Sequence, residues 1–256
     1  MTDATRPRRR TGRTIAIVAV IVVVVAGLLV AAEAIARSAV ASTVRSLVVQ
    51  KVGLPADQPV DVEVPGIVLP QLISGRLDEV GVSADDVAIG SLTGDVRVRL
   101  QGVPVAGGAA ASGGSASVRL DPAQLRALLS QIPDFPSDTV GTAAPDVTLS
   151  TRFSVFGVPI PVGISLTPGA AGGDLTLTPS SFELGGNRVD AETLRGQLGG
   201  VADGALRTWN LCIADRLPAG LTLDSVTVQG DDLVAMFAID GGLLDDPALQ
   251  QNGTCG

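Results

Sequence analysis

The chain has no histidine among its 256 residues. That single absence removes Ser-His-Asp and Cys-His nucleophilic machinery, His-containing zinc sites and the commonest general base. Carboxylates remain. The adjacent pairs Asp85/Asp86, Asp231/Asp232 and Asp245/Asp246 could on paper supply the acid and base of a two-carboxylate glycoside hydrolase. Each pair is set among turn-forming residues, where aspartate is ordinarily solvated or caps a helix, and a doublet offers fewer converging oxygens than a calcium site requires. The glycine-rich stretch GGAAASGG at 107–114 has neither the G-x-G-x-x-G spacing nor a following Lys-Ser/Thr, so it is not a phosphate cradle. Asn252-Gly253-Thr254 matches a glycosylation sequon, of little weight in a chain whose single lysine against 17 arginines points to a GC-rich bacterial genome. Trp209, close to Cys212, is expected to pack in the core or against a bridge. No catalytic residue, metal ligand or cofactor site is expected.

The elements that carry these residues begin with a membrane segment. Arg6, Arg8, Arg9, Arg10 and Arg13 precede an uncharged run of 19 residues, Thr14 to Ala32, which at about 1.5 Å per residue matches the roughly 30 Å hydrocarbon core of a bilayer. The arginines are expected to hold the N-terminus in the cytoplasm and leave the rest outside. The expected division is a basic tail at 1–13, a single-pass anchor at 14–36 and an exported domain at 37–256. Ala34-Ile35-Ala36 resembles a cleavage site, so a cleaved signal peptide is the alternative, although the apolar run exceeds the about 7–15 residues of a signal core. Cys212 and Cys255, the only cysteines, both lie on the exported side, where disulfides persist. A bridge between them is expected, with two separate thiols as the alternative.

Beyond residue 36 the chain holds 13 basic and 24 acidic groups, a net of −11. Nucleic acid and anionic surfaces are therefore poor partners, and any lipid contact has to be apolar and local. The helical pattern continues past the anchor through Ala36, Val40, Val44, Leu47 and Val48 and is expected to end near Gly53-Leu54-Pro55. Strand alternation is predicted at 60–64, 76–89, 95–100, 146–155, 174–184, 221–229 and 232–239, with a bulge near Asp224-Ser225 where the apolar parity shifts. Asp121-Pro122 predicts a capped short helix ending before Pro133, and 190–201 a second with Leu194 and Leu198 on its buried side. Many antiparallel strands with few helices, and no βαβ alternation, make the class α+β.

The stretch FGVPIPVGISLT at 156–167 places Phe156, Val158, Ile160, Val162, Ile164 and Leu166 on one face and glycines, prolines and hydroxyls on the other. Period two predicts a strand, but two prolines cannot donate to a ladder, so it is not an ordinary central strand. With one tryptophan, five phenylalanines and no tyrosine, the interior is aliphatic. It fits an acyl-chain cavity and, on composition alone, a solidly packed β-rich core equally well.

Residues 65–105, PGIVLPQLISGRLDEVGVSADDVAIGSLTGDVRVRLQGVPV, resemble the LmeA-like phospholipid-binding family of actinobacterial exported proteins. In that family a segment of the kind G-F-P-F-L-T-Q-L-L-x-G leads into strands. Leu69, Gln71, Leu72 and Gly75 stand at matching positions, Pro65-Gly66-Ile67-Val68 replaces the aromatic front, and Leu217-Pro218-Ala219-Gly220-Leu221 resembles the family's entry to a final hairpin. The resemblance covers about residues 33–240. It implies a curved antiparallel sheet wrapped around a long helix, similar to tubular lipid-binding proteins. It also implies phospholipid binding without covalent chemistry, in support of envelope lipid or lipoglycan assembly. On that reading Ile67, Leu69 and Leu72, with Val158, Ile160, Val162, Ile164 and Leu166, contact acyl chains, and the Gly/Pro positions bend the wall. An envelope scaffold with a solid core and a protein partner is the alternative.

Overall fold

The computed structural model describes residues 10–255 except 56, 90–91, 107, 131–136, 156–157 and 200–205, and describes side chains for all of these except 10–14, 51–52, 89, 92, 151–155, 158–160 and 198. Helix α1 (Arg10–Val52) runs 43 residues without interruption, about 65 Å at 1.5 Å per residue. Its N-terminal part, from Ile15 to Val30, leaves large aliphatic side chains about half or more exposed, and it is long and apolar enough to cross a membrane. Its C-terminal part belongs to the body. Ala36, Val40 and Val44 pack on the buried cluster Val64, Val68, Leu77 and Val80, and Val48 and Val49 on Val60, Ala84 and Val87. Alanine and valine at three- and four-residue spacing give that face close contact with a sheet. Gly53, at φ 73°, ends the helix where the spacing predicted.

Two open antiparallel sheets form the rest. The first, sheet A, contains β1 (Asp61–Glu63), β2 (Arg76–Ile89), β3 (Leu92–Pro104), β4 (Gly113–Leu120), β11 (Leu221–Gln229) and β12 (Asp232–Ile239), in the order β1-β2-β3-β4-β12-β11. The second, sheet B, contains β5 (Gly141–Ala143), β6 (Asp146–Val155), β7 (Val158–Ala171), β8 (Asp174–Leu184), β9 (Asn187–Asp190) and β10 (Trp209–Leu211), in the order β10-β8-β7-β6-β5 with β9 also on β8. The sheets meet where β11 packs on β7, and a bridge between Gly173 and Leu223 joins them. The register of β11 on β12 shifts between Leu223 and Ser225, the bulge that the parity change anticipates.

Among the described residues four α-helices follow α1: α2 (Val68–Ser74), α3 (Pro122–Leu129), α4 (Ala191–Leu198) and α5 (Pro247–Gln250). Asp121 caps α3 in a complete capping box with Gln124, and Pro122 opens its first turn. Leu125 of α3 is buried with Leu120 and Val140, and Val147, Leu149 and Leu233 pack on them, so α3 covers the junction of the sheets. In α4 Leu194 packs on Ala191 and Leu206; the Leu198 side chain and residues 200–201 lie outside the described residues. The glycine-rich connection after β3 ends sooner than its composition implies, since β4 begins at Gly113 inside GGAAASGG.

Candidate functional site

Two places gather the residues singled out above. The first is the junction of α1 and α2. Period-based reading does not find α2, because Pro70 stands within it; proline is tolerated there because the first turn of a helix has no intrahelical acceptor for its N–H. Ile67 at the N-cap offers no side-chain acceptor. Glu33 of α1 supplies it instead: its two carboxylate oxygens accept from the backbone N–H groups of Val68 at 2.7 Å and Leu69 at 3.0 Å. Arg37, one turn on, pairs with Glu33 at 3.1 Å and donates to the carbonyls of Val64 and Gly66. Arg45 donates through both Nε and Nη2 to the carbonyl of Val60. These bonds fix the rotation of α1 against the 60–69 segment.

Gln71 closes the junction from the other side. It is buried, donates from Nε2 to the Pro65 carbonyl at 3.0 Å and accepts at Oε1 from the Asp78 N–H at 2.9 Å. The glutamine of the motif thus ties the loop before α2 to strand β2. Gly75 takes φ 77° and returns its N–H to Gln71 and Leu72, a C-cap that favours glycine. Leu72 packs half-buried on the Val64 cluster, Leu69 is half-buried, and Ile67 is 65 % exposed.

The second place is β7. Its first two prolines lie where β7 pairs with β6 alone: Pro159 opposes Ser154 and Pro161 opposes Arg152, whereas the ladder to β8 starts at Val162; the third, Pro168, opposes Leu177 of β8 beyond the end of the β6 ladder. Pro161 turns its carbonyl to the β8 side, where Gly185 N–H bonds it, so the missing N–H falls beyond the ladder's end. From Val162 to Leu166 β7 is paired on both sides, as a central strand, which the sequence reading did not expect, and from Thr167 to Ala171 it pairs with β8 alone. Val162 and Ile164 are half-buried and Leu166 and Pro168 are buried, but Ser165 on the opposite face is buried too, so both faces of the middle of β7 are covered. The side chains of Val158 and Ile160, and Phe156 and Gly157 entirely, lie outside the described residues. Beside this strand, the buried Asp146 accepts from Thr167 and Ser180, each at 2.6 Å, and ties β6, β7 and β8 together. Nothing in the alternation of β6 marks that role.

These two places do not form one surface. Leu69 and Leu72 stand by the start of β2, whereas Leu166 pairs with Val147, which packs with Leu120 and Leu233 at the opposite end of sheet A. Hollows are seen among the described residues at two places that bear on these residues. One, of about 620 Å³, lies between Gly172-Gly173 and Leu217, Leu221 and Thr222. The other, of about 300 Å³, is lined by Asp85, Asp86, Asp95, Asp121 and Asp232 with Arg119.

Of the acidic pairs, Asp85/Asp86 occupies a register shift inside β2 rather than a turn, with Asp86 at φ 52°. Asp232 pairs with Arg119 at 2.9 Å, and Asp246 caps α5. Among the described residues no three of His, Cys, Asp or Glu are grouped to hold a metal. Trp209 is on the edge strand β10 and 36 % exposed, not in the core. Cys212 and Cys255 form a disulfide that closes 43 residues onto the C-terminus.

Comparison with curated proteins and with solved structures finds no match. The family model described as LmeA-like phospholipid-binding matches residues 28–238, from the last residues of the membrane run through the final hairpin. The chain belongs to the LmeA-like phospholipid-binding family.

Proposed function

We propose that the chain is a membrane-anchored, non-catalytic phospholipid-binding protein whose body lies outside the cytoplasm and holds acyl chains against the aliphatic side of β7. It supports the assembly of envelope lipid or lipoglycan. Membership of a phospholipid-binding family over residues 28–238 carries this reading. The wall is Val158, Ile160, Val162, Ile164 and Leu166, with Ile67, Leu69 and Leu72 as a separate lipid contact beside the anchor. The wider picture is a curved sheet that wraps around the upper half of α1.

An uncut anchor is favoured over a cleaved signal by the junction itself. Cleavage after Ala36 would remove Glu33, which caps α2, and Ala36, which packs on the Val64 cluster. Capping contacts of this kind are worth about 0.5–2 kcal/mol each, which supports retention of residues 33–36.

Val162→Trp tests the wall. The full chain, purified in detergent and incubated with phospholipid, is compared with the variant by native mass spectrometry and thermal melting. An indole that occupies a lipid-filled trough displaces phospholipid and leaves the melting temperature unchanged. In a solid core it overpacks and costs about 1–3 kcal/mol, and a variant that melts early with its lipid load intact contradicts the proposal.

A further inference from the structure

Nineteen uncharged residues, Thr14 to Ala32, fill the roughly 30 Å hydrocarbon core, and a bilayer of about 40–45 Å in all leaves a headgroup layer of several ångströms on each side. Glu33, the next residue, holds the N–H groups of Val68 and Leu69 directly. Helix α2 therefore starts at the height where α1 leaves the hydrocarbon. The pairing of the strands extends this level across sheet A: Arg76 opposes Pro104, Val105 N–H bonds the Gly75 carbonyl, Gln101 opposes Gly113, and Ala111 N–H bonds the Gly241 carbonyl. One end of sheet A thus lies beside the membrane exit of α1.

That end carries the apolar exposure. Outside α1, seven large apolar side chains are exposed among the described residues. Four of them, Ile67 (65 %), Ile73 (87 %), Val105 (48 %) and Leu244 (55 %), belong to the segments just traced. Charge is distributed in the matching sense. Arg76 is exposed on this edge, Glu33 is paired with Arg37, and Asp240 and Asp246 are engaged as caps of Gly242 and Ala248, leaving Asp78 and Asp245 as further exposed carboxylates at its rim. The cluster of Asp85, Asp86, Asp95, Asp121 and Asp232 is at the far end of the same strands, away from lipid phosphates that would repel it.

We infer that the α2 end of sheet A is a foot resting in the headgroup layer of the bilayer that α1 crosses. Ile67, Ile73, Val105 and Leu244 meet lipid there, and Arg76 is at the level of the phosphates. This rests on the reading of residues 14–32 as a membrane span. Its consequence is that the body stands at a fixed height and rotation above the outer leaflet, with the Leu217–Thr222 hollow toward the bilayer, since Leu221 pairs with Ile239 at that end.

The test uses the full chain, with its disulfide kept oxidised, in vesicles of phosphatidylcholine and phosphatidylglycerol. Val24→Cys, Ile73→Cys and Leu184→Cys are each labelled with a fluorophore and exposed to lipids bearing a nitroxide near the headgroup or deep in the chain. The expected result is deep-nitroxide quenching at Val24→Cys, and headgroup-nitroxide quenching several-fold stronger at Ile73→Cys than at Leu184→Cys, an exposed position on sheet B. Quenching at Val24→Cys with equal, weak quenching at the other two overturns the foot and leaves the anchor standing. Absence of quenching at Val24→Cys overturns the anchor and the foot with it. Strong quenching at all three positions also overturns the foot, because contact would then not be particular to this end.

Discussion

Gln71 shows how much one side chain can hold at the residue scale. It is 6 % exposed and satisfies one carbonyl and one N–H that belong to different elements. Gln71→Leu keeps the volume close but strands both partners, and burying an unsatisfied donor or acceptor costs about 1–3 kcal/mol. Thermal melting of the purified chain should show a loss in that range, and Gln71→Glu should lose at least as much at neutral pH, because its buried carboxylate faces the Pro65 carbonyl with no proton to donate. A Gln71→Leu chain as stable as the parent would remove the bracket from the account. Glu33 makes the complementary case: Glu33→Ala leaves the first N–H groups of α2 without their acceptor, and hydrogen exchange should rise in 67–75 with little change in β11 and β12. Sequence shows that Gln71 occupies a motif position and that Glu33 interrupts an apolar run. It cannot show the partners, which are 6 and 7 residues from Gln71 and 35 and 36 from Glu33.

Strands that are half-buried and alternate can be read at the element scale almost to the residue, as β2, β6, β8, β11 and β12 are, because side chains of period two report which face is covered. β4 and β7 are harder. β4 opens with Gly113, Gly114 and small residues and alternates only over Val118, Arg119 and Leu120, and β7 hides a central stretch behind two prolines placed where its β8 ladder has not begun. That placement yields a prediction with opposite signs along one strand. Pro161→Val should be tolerated, since its N–H would meet no required acceptor. Ser165→Pro should unfold sheet B, because Ser165 is paired with both Thr148 and Ser181 and a proline in mid-sheet removes a ladder bond. Limited proteolysis of the two variants reads the difference directly; equal resistance would mean that β7 is not laddered on both sides at Ser165. The order of the two sheets was not legible at all, because β12 beside β4 and β11 against β7 join segments more than a hundred and about fifty residues apart, beyond any local periodicity.

At the scale of the whole molecule the chain is a post with a body attached: α1 runs without a break from a stretch of exposed aliphatic side chains to one packed on sheet A, and Glu33, Arg37 and Arg45 bind it to the 60–69 segment. The acidic composition keeps the distal end from anionic surfaces, so apolar contact is left as the means of engaging lipid. Composition and the motif together made an α+β member of a phospholipid-binding family with an apolar N-terminal helix legible; the separation of Leu69 and Leu72 from Leu166 to opposite ends of sheet A was not, since it depends on how two sheets meet. The claim at the centre is that β7, far from the anchor, touches acyl chains. The most direct measurement is photolabelling of the full chain in vesicles that contain a phospholipid with a diazirine in its acyl chain, followed by proteolysis and mass spectrometry. The account predicts adducts on the peptide spanning 158–166 in addition to those on 14–32; labelling confined to α1 and the α2 end would contradict it.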